Sequence, residues 1–295
     1  MRIQQRSDHQ EASRGSIDLL VTAMLPALHK LCDGQVSIAI GGSRTKGSAD
    51  RWSDLDVYLF SITVLPRADR ETVVSTLLPN VCRVTSWGCD DPFLEGGTDF
   101  TLEGLRVECW HRNEASLEEK LQASLNGEIT RQYSPWAVMG FFDHAVLADI
   151  RSMQIVVDPK GALARWKTQV SFYPEALRRS LLHRFMRWAE FWPYNPHYQS
   201  AVERVDLIYT SAIVQHTLQA LIQVLFALNR EYFPGEKQLA SAMDKLPVRP
   251  QGLSERIRRI LNPGIEMGRD ELAAQASALA DLVVETKSLV LSDQN

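Results

Sequence analysis

Gly41-Gly-Ser-Arg-Thr-Lys-Gly-Ser-Ala-Asp-Arg-Trp-Ser-Asp-Leu-Asp56 is the stretch on which the reading of this chain turns. It follows Val36-Ser-Ile-Ala-Ile40, an apolar run that predicts a buried strand. Gly41 and Gly42 end that strand without side chains, so a phosphate can come close to the backbone. Ser43 places a hydroxyl where a helix can begin, as an N-cap, as a donor to an anion, or as both. Arg44 and Lys46 bring positive charge, either to a phosphate or simply to solvent, and Gly47 lets the chain turn back tightly. Asp54 and Asp56 then open a second predicted strand, Asp54 to Phe60. Residues two apart on a strand face the same side, so both carboxylates enter one space while Leu55 points away. Two carboxylates so placed repel each other unless a cation lies between them. Mg²⁺ suits the position, because it takes one or two carboxylates plus phosphate oxygens.

Outward from this segment, Ser16 to Leu31 has helical periodicity, with Leu19, Leu20, Met24, Leu25 and Leu28 along one side and Asp33-Gly34 as a stop. Arg67 to Leu78 predicts a helix. Cys82 to Trp87, Asp99 to Leu102 and Leu105 to His111 predict strands, with Glu103-Gly104 as a tight turn between the last two. Leu117 to Leu125 and Trp136 to Ala148 read as helices, and Met153 to Val157 as a short apolar run closed by Asp158-Pro-Lys-Gly161. From about Ala162 the texture becomes helical throughout: Pro174 to Trp192, Ala201 to Leu228, Leu253 to Leu261 and Glu271 to Val290. The expected class is α+β: a small mixed β-sheet domain with flanking helices over residues 1–158, followed by an all-α helical bundle over residues 159–295.

Gly-Gly-Ser, a short helix with a further glycine, and Ser-Asp-Leu-Asp opening a strand together resemble the DNA polymerase beta-like nucleotidyltransferase superfamily. The resemblance is nearest to the small bacterial branch holding the aminoglycoside and lincosamide nucleotidyltransferases, and to uncharacterised relatives. It is specific over Ile38 to Phe60 and looser over residues 1 to about 160. Leu228-Asn-Arg-Glu-Tyr-Phe-Pro-Gly-Glu-Lys237 also looks similar to a stretch of those uncharacterised relatives. The resemblance implies two Mg²⁺ ions and ATP or another nucleoside triphosphate as donor. It further implies in-line attack of an acceptor hydroxyl on the α-phosphorus, with pyrophosphate leaving. It implies a third carboxylate on a neighbouring strand, for which Glu108 in Leu105-Arg-Val-Glu-Cys-Trp-His111 is the candidate. Its metal set is then Asp54, Asp56 and Glu108. Its nucleotide set is Gly41, Gly42, Ser43, Arg44, Lys46 and Gly47, with Lys237 reaching in from the helical part or lying solvated at a helix end.

Register adds an independent expectation. If Glu103-Gly104 is a two-residue turn, Leu102 pairs with Leu105 and Asp99 falls opposite Glu108 on the same face. Directly opposed like charges want a cation or a shared proton. Glu108 is then the third ligand or the base, with Asp99 its helper or the alternative ligand.

The bulk properties narrow the partners. The chain has 295 residues with 45% apolar content and a formal net charge of -4. That balance disfavours a tight, non-specific nucleic-acid binder. The N-terminal residues are polar, with no apolar signal region, and the apolar Leu207 to Leu228 is broken by Gln215, His216, Gln219 and Gln223. A cytoplasmic enzyme without a membrane span is expected, with a homo-oligomer allowed. Cys32, Cys82, Cys89 and Cys109 lack the spacing of a metal knuckle and read as small buried hydrophobes. His111 falls on the core side of its strand, and His183 and His216 read as packing residues in helices. The aromatic run Phe185, Trp188, Phe191 and Trp192 reads as core, with a lining role toward an acceptor as the sharper option. Three functions fit: nucleotidyl transfer to a small-molecule hydroxyl, as in an aminoglycoside-like antibiotic; nucleotidyl transfer to a protein or RNA partner of the toxin-antitoxin kind; or a non-catalytic nucleotide-binding module.

Overall fold

The structure is a computed structural model describing residues 17–47, 49–88, 95–134, 137–264 and 266–293. In chain order the strands and first helices are α1 (17–30), β1 (Cys32–Asp33), β2 (Ser37–Ile40), α2 (Gly42–Thr45), β3 (Leu55–Ser61), β4 (Thr63–Val64), α3 (Arg67–Leu77), β5 (Val81–Trp87), β6 (Gly97–Leu102), β7 (Leu105–Asn113), α4 (Glu114–Leu125), β8 (Arg131–Ser134), β9 (Ala137–Phe142), α5 (Val146–Ser152) and β10 (Gln154–Val157). Seven helices follow: α6 (Ala162–Gln169), α7 (Glu175–Phe191), α8 (Pro196–Glu203), α9 (Leu207–Leu228), α10 (Leu239–Met243), α11 (Leu253–Leu261) and α12 (Arg269–Asp293). The class is α+β, with a mixed sheet early and helices late.

Two units pack separately. One takes Met1–Glu119 with Asp149–Gln169, the other Lys120–Ala148 with Val170–Asn295. They interleave along the chain, so residues 120–148, inside the expected 1–158 region, group with the C-terminal helices.

The first unit is built on a six-stranded sheet of order β10-β2-β3-β7-β6-β5, in which only β3 and β7 run parallel. Alternation along β3 sends Leu55, Val57 and Leu59 to one face. There they join Ile38 and Ile40, Val107 and Cys109, and Met24, Leu28 and Val74 from the helices in one buried cluster. Burying each such side chain stabilises by about 1.5–3 kcal/mol. The other face of β3 carries Asp56, Tyr58 and Phe60. Phe60 meets Trp166 of α6 edge-on at 5.6 Å, and Tyr58 stacks on Trp110 at 6.5 Å. Between β6 and β7, Glu103 (φ 50) and Gly104 (φ 82) both take positive φ, the signature of a two-residue primed turn. Leu102 accordingly pairs with Leu105, and Asp99 with Glu108, as the register expectation required.

The second unit is helical apart from the β8–β9 hairpin. Its core helix is α9, long and apolar enough by composition alone to cross a membrane, with 72% of its most apolar window buried inside the protein. Two elements differ from the sequence reading. The expected helix from Trp136 to Ala148 is instead β9, a 3-10 turn over Asp143–Ala145 and the start of α5, with Trp136 outside the described residues. Gly140 takes φ 75, which no helix interior allows, and Val138, Phe141 and Phe142 favour strand. The single helix expected from Ala201 to Leu228 is broken after Glu203. Val205 turns at φ 55, and Asp206 caps α9 by accepting the Tyr209 backbone N–H at 3.2 Å.

Candidate active site

The sheet register assembles the acids. Parallel pairing of β3 with β7 sets Asp56 beside Glu108, and antiparallel pairing of β7 with β6 sets Glu108 beside Asp99. Three carboxylates thus form a row across three adjacent strands, each step about 4.8 Å. Asp54, just before β3, completes a cluster in which one carboxylate oxygen each from Asp54, Asp56 and Glu108 lies within 4.8 Å of the others. No other group of three or more His, Cys, Asp or Glu side chains gathers this way among the described residues.

The Gly41-Gly42 turn is shaped to this cluster. Gly42 takes φ 68, and a Cβ there would lie 1.6 Å from Asp56 Oδ2. A Cβ on Gly41 would lie 2.6 Å from the Tyr58 ring. No side chain fits at either position, so the backbone passes directly beside the Asp56 carboxylate. The Gly41 N–H donates to the Asp56 carbonyl at 3.0 Å, which ties the turn to β3. Ser43 and Arg44 lie half-buried in the single turn α2. The Arg44 guanidinium donates to the Ser53 and Asp54 carbonyls, each at 2.8 Å, and so fixes the backbone that presents Asp54. Lys46 pairs with Asp149 at 2.9 Å. Gly47 takes φ 68 in open space. Lys237 is exposed and belongs to the other unit.

The electrostatics are those of a site short of positive charge. Glu108 is half-buried and pushed up to about 7, first by burial and then by the Asp54 charge, with Arg106 pulling the other way through an ion pair. Asp99 is raised as well, chiefly by burial, while the Trp87 indole donates to it and lowers it. Its Oδ1 is buried with no hydrogen-bond partner. Tyr58, behind Asp56, is held protonated by burial and by the neighbouring Asp149 and Asp56 charges. A set of oxygen-only donors, mutually repelling, with one buried orphan oxygen beside it, fits a hard divalent cation.

Asp149 and Tyr58 belong to these surroundings but were not singled out in the sequence. Asp149 reaches Lys46 across 103 residues, and no local pattern announces such a contact. Tyr58 was readable: it stands two residues past Asp56, on the same strand face. Cys82 is exposed, unlike the buried Cys32 and Cys109, which corrects its reading as a buried hydrophobe, and Cys89 lies outside the described residues. His111 is buried on the core face, where its Nε2 meets Thr98 Oγ1 at 3.0 Å.

Comparison with known proteins adds little to this geometry. The family described as "Domain of unknown function (DUF4037)" matches residues 141–239. No curated protein matches the chain. Among solved structures the chain is similar to a nucleotidyltransferase-like protein from Exiguobacterium sibiricum 255-15, at 13% identity and a TM-score of 0.44, over 97% of this chain and 77% of that one.

Proposed function

We propose that this chain is a Mg²⁺-dependent nucleotidyltransferase that moves a nucleoside monophosphate, AMP from ATP, onto the hydroxyl of a small-molecule acceptor. The observation that carries this reading is the gathering of Asp54, Asp56 and Glu108 within 4.8 Å beside a glycine turn that admits no side chain. Asp54, Asp56 and Glu108 would hold the metal. A divalent ion bound there would offset the charge of the triphosphate and favour the ionised acceptor hydroxyl. Gly41 and Gly42 leave room for phosphate oxygens at the backbone. Arg44 acts by fixing the Ser53–Asp54 backbone, and Ser43 offers its hydroxyl to the phosphates. Lys46, held by Asp149, sets a positive charge on the same turn. Glu108 or Asp99 would take the acceptor's proton. The acceptor oxygen forms a bond to the α-phosphorus, and the bond to the bridging oxygen of pyrophosphate breaks. The acidic balance favours a small acceptor, of aminoglycoside-like kind, over RNA.

The test is pyrophosphate release and labelled AMP transfer by the full chain with Mg²⁺, ATP and a panel of hydroxyl acceptors. Asp54→Asn and Asp56→Asn should each lower the rate about a thousandfold while the unfolding midpoint holds. Wild-type protein that binds nucleotide but never releases pyrophosphate would leave a binding module in place of an enzyme. Modification found only on added protein or RNA would move the acceptor to that class.

A further inference from the structure

In the helical unit, α7 and α9 line an open cavity of about 680 Å³. Its volume lies in the range of small-molecule sites. Trp188, Phe191 and Trp192 of α7, or just beyond its end, and Tyr209 and His216 of α9 form the walls, with Arg187 at the edge. These rings are not sealed into a core: Phe191 is 60% and Tyr209 40% exposed. They are nevertheless ordered against one another. Trp192 meets Phe191 edge-on at 5.0 Å and Tyr209 edge-on at 5.9 Å, while Trp188 stacks on His216 at 5.4 Å. A concave wall of mutually braced rings left open to solvent is suited to a flat apolar ligand.

Charge narrows the ligand. Glu190, the acid at this cavity, is taken by Lys287 at 2.5 Å. The Trp188 ring already carries the Arg184 guanidinium at 5.0 Å and the His216 ring, so a ligand cation finds its π-face occupied. Arg187 is exposed and has no ion pair with any described carboxylate. The charge left over at the cavity is therefore positive.

We infer that this cavity binds a planar aromatic ligand bearing an anionic group, with the ring against Trp192, Phe191 and Tyr209 and the anion at Arg187. The cavity is built from residues of the helical unit alone, and the inference does not depend on nucleotidyl transfer. Calorimetric titration of the full chain with naphthalenesulfonate, naphthol and naphthylmethylammonium tests it, since the three share one ring and differ in charge. Naphthalenesulfonate should bind at one per chain, about fivefold tighter than naphthol, with naphthylmethylammonium weakest. Arg187→Gln should erase the sulfonate's advantage and leave naphthol unchanged. Phe191→Ala, at an exposed position, should weaken both about tenfold. Asp54→Asn should change none of these values, which separates failure here from failure of the transferase reading. Saturable binding in which the ammonium equals the sulfonate, an Arg187→Gln variant that binds the sulfonate as before, or no saturable binding at all would each overturn the inference.

Discussion

The two faces of the β6–β7 pair carry polar groups of opposite character. On the core face, Arg70 is fully buried, and its guanidinium donates to the Gly97 carbonyl at 2.8 Å and to Thr98 Oγ1 and the Trp87 carbonyl at 3.4 Å. Thr98 Oγ1 in turn meets His111 Nε2 at 3.0 Å and Ser86 Oγ at 3.3 Å. On the other face, Asp99, next to Thr98, and Glu108, three residues before His111, oppose each other near Asp54. Neither network satisfies every buried atom, since His111 Nδ1 lacks a hydrogen-bond partner on one face as Asp99 Oδ1 does on the other. Burial is similar in kind on both faces, so burial alone does not mark a site. What marks it is like charge brought together, a condition that costs stability and that a bound cation would relieve.

The largest expected effect breaks the closed side of this comparison. Arg70→Met should destabilise the protein by about 3 kcal/mol, because the Gly97 carbonyl loses its buried guanidinium donor. Glu108→Gln, on the open side, should leave stability unchanged or raise it, since it removes a repelled carboxylate. Urea unfolding of both variants at neutral pH without divalent metal checks the pair. Equal losses from the two would mean that the acidic face is as self-sufficient as the core face.

Next in size is the response to metal. If the open face waits for a cation, Mg²⁺ at a hundred times its dissociation constant should stabilise the folded chain by about 2.7 kcal/mol. Chelation should remove that gain, and Asp56→Asn should never show it. Arg70→Met should respond to Mg²⁺ as wild type does, offset by its own loss. A thermal-unfolding series against Mg²⁺ concentration reads all three, and a flat response in wild type would count against the cation site.

Much of this contrast is legible in the sequence. The Asp54–Asp56 pair, the glycine turn and the Asp99–Glu108 register follow from strand alternation and from a two-residue turn containing Gly104, all of them local rules. The core side of His111 came from the same alternation. Two kinds of feature stayed hidden. Arg70 looks like a surface helix residue, and only the packing of α3 shows it buried. The Lys46–Asp149 pair and the Arg44 clasp on the Ser53 and Asp54 carbonyls depend on how loops return in space. In the helical unit, apolar periodicity ran straight through the Glu203–Leu207 break and across β9. A helical hydrophobic pattern does not report a single residue at positive φ, whether Val205 or Gly140.

The finest probe of the comparison is pH, because Glu108 and His111 lie three residues apart on one strand and should respond in opposite directions. Burial lowers His111 to about 3 in the folded protein. The unfolded chain then binds the extra proton first, so His111 contributes stability that is full above about 6.5 and is lost as pH falls toward 3. Glu108 is raised to about 7. Its folded form keeps a proton that the unfolded chain gives up near 4.5, so its contribution is full below that value and is lost as pH rises through 7. Each group contributes at most about 1.4 kcal/mol per pH unit within its own window. In metal-free buffer, Glu108→Gln should therefore flatten the fall in stability between about 4.5 and 7, and His111→Asn should flatten the rise between about 3 and 6.5. Saturating Mg²⁺ should mimic Glu108→Gln, because a bound cation removes the reason for the proton, and it should leave the His111 limb as it was. If Mg²⁺ flattens both limbs, or neither, the two faces are not independent in the way their hydrogen bonding indicates.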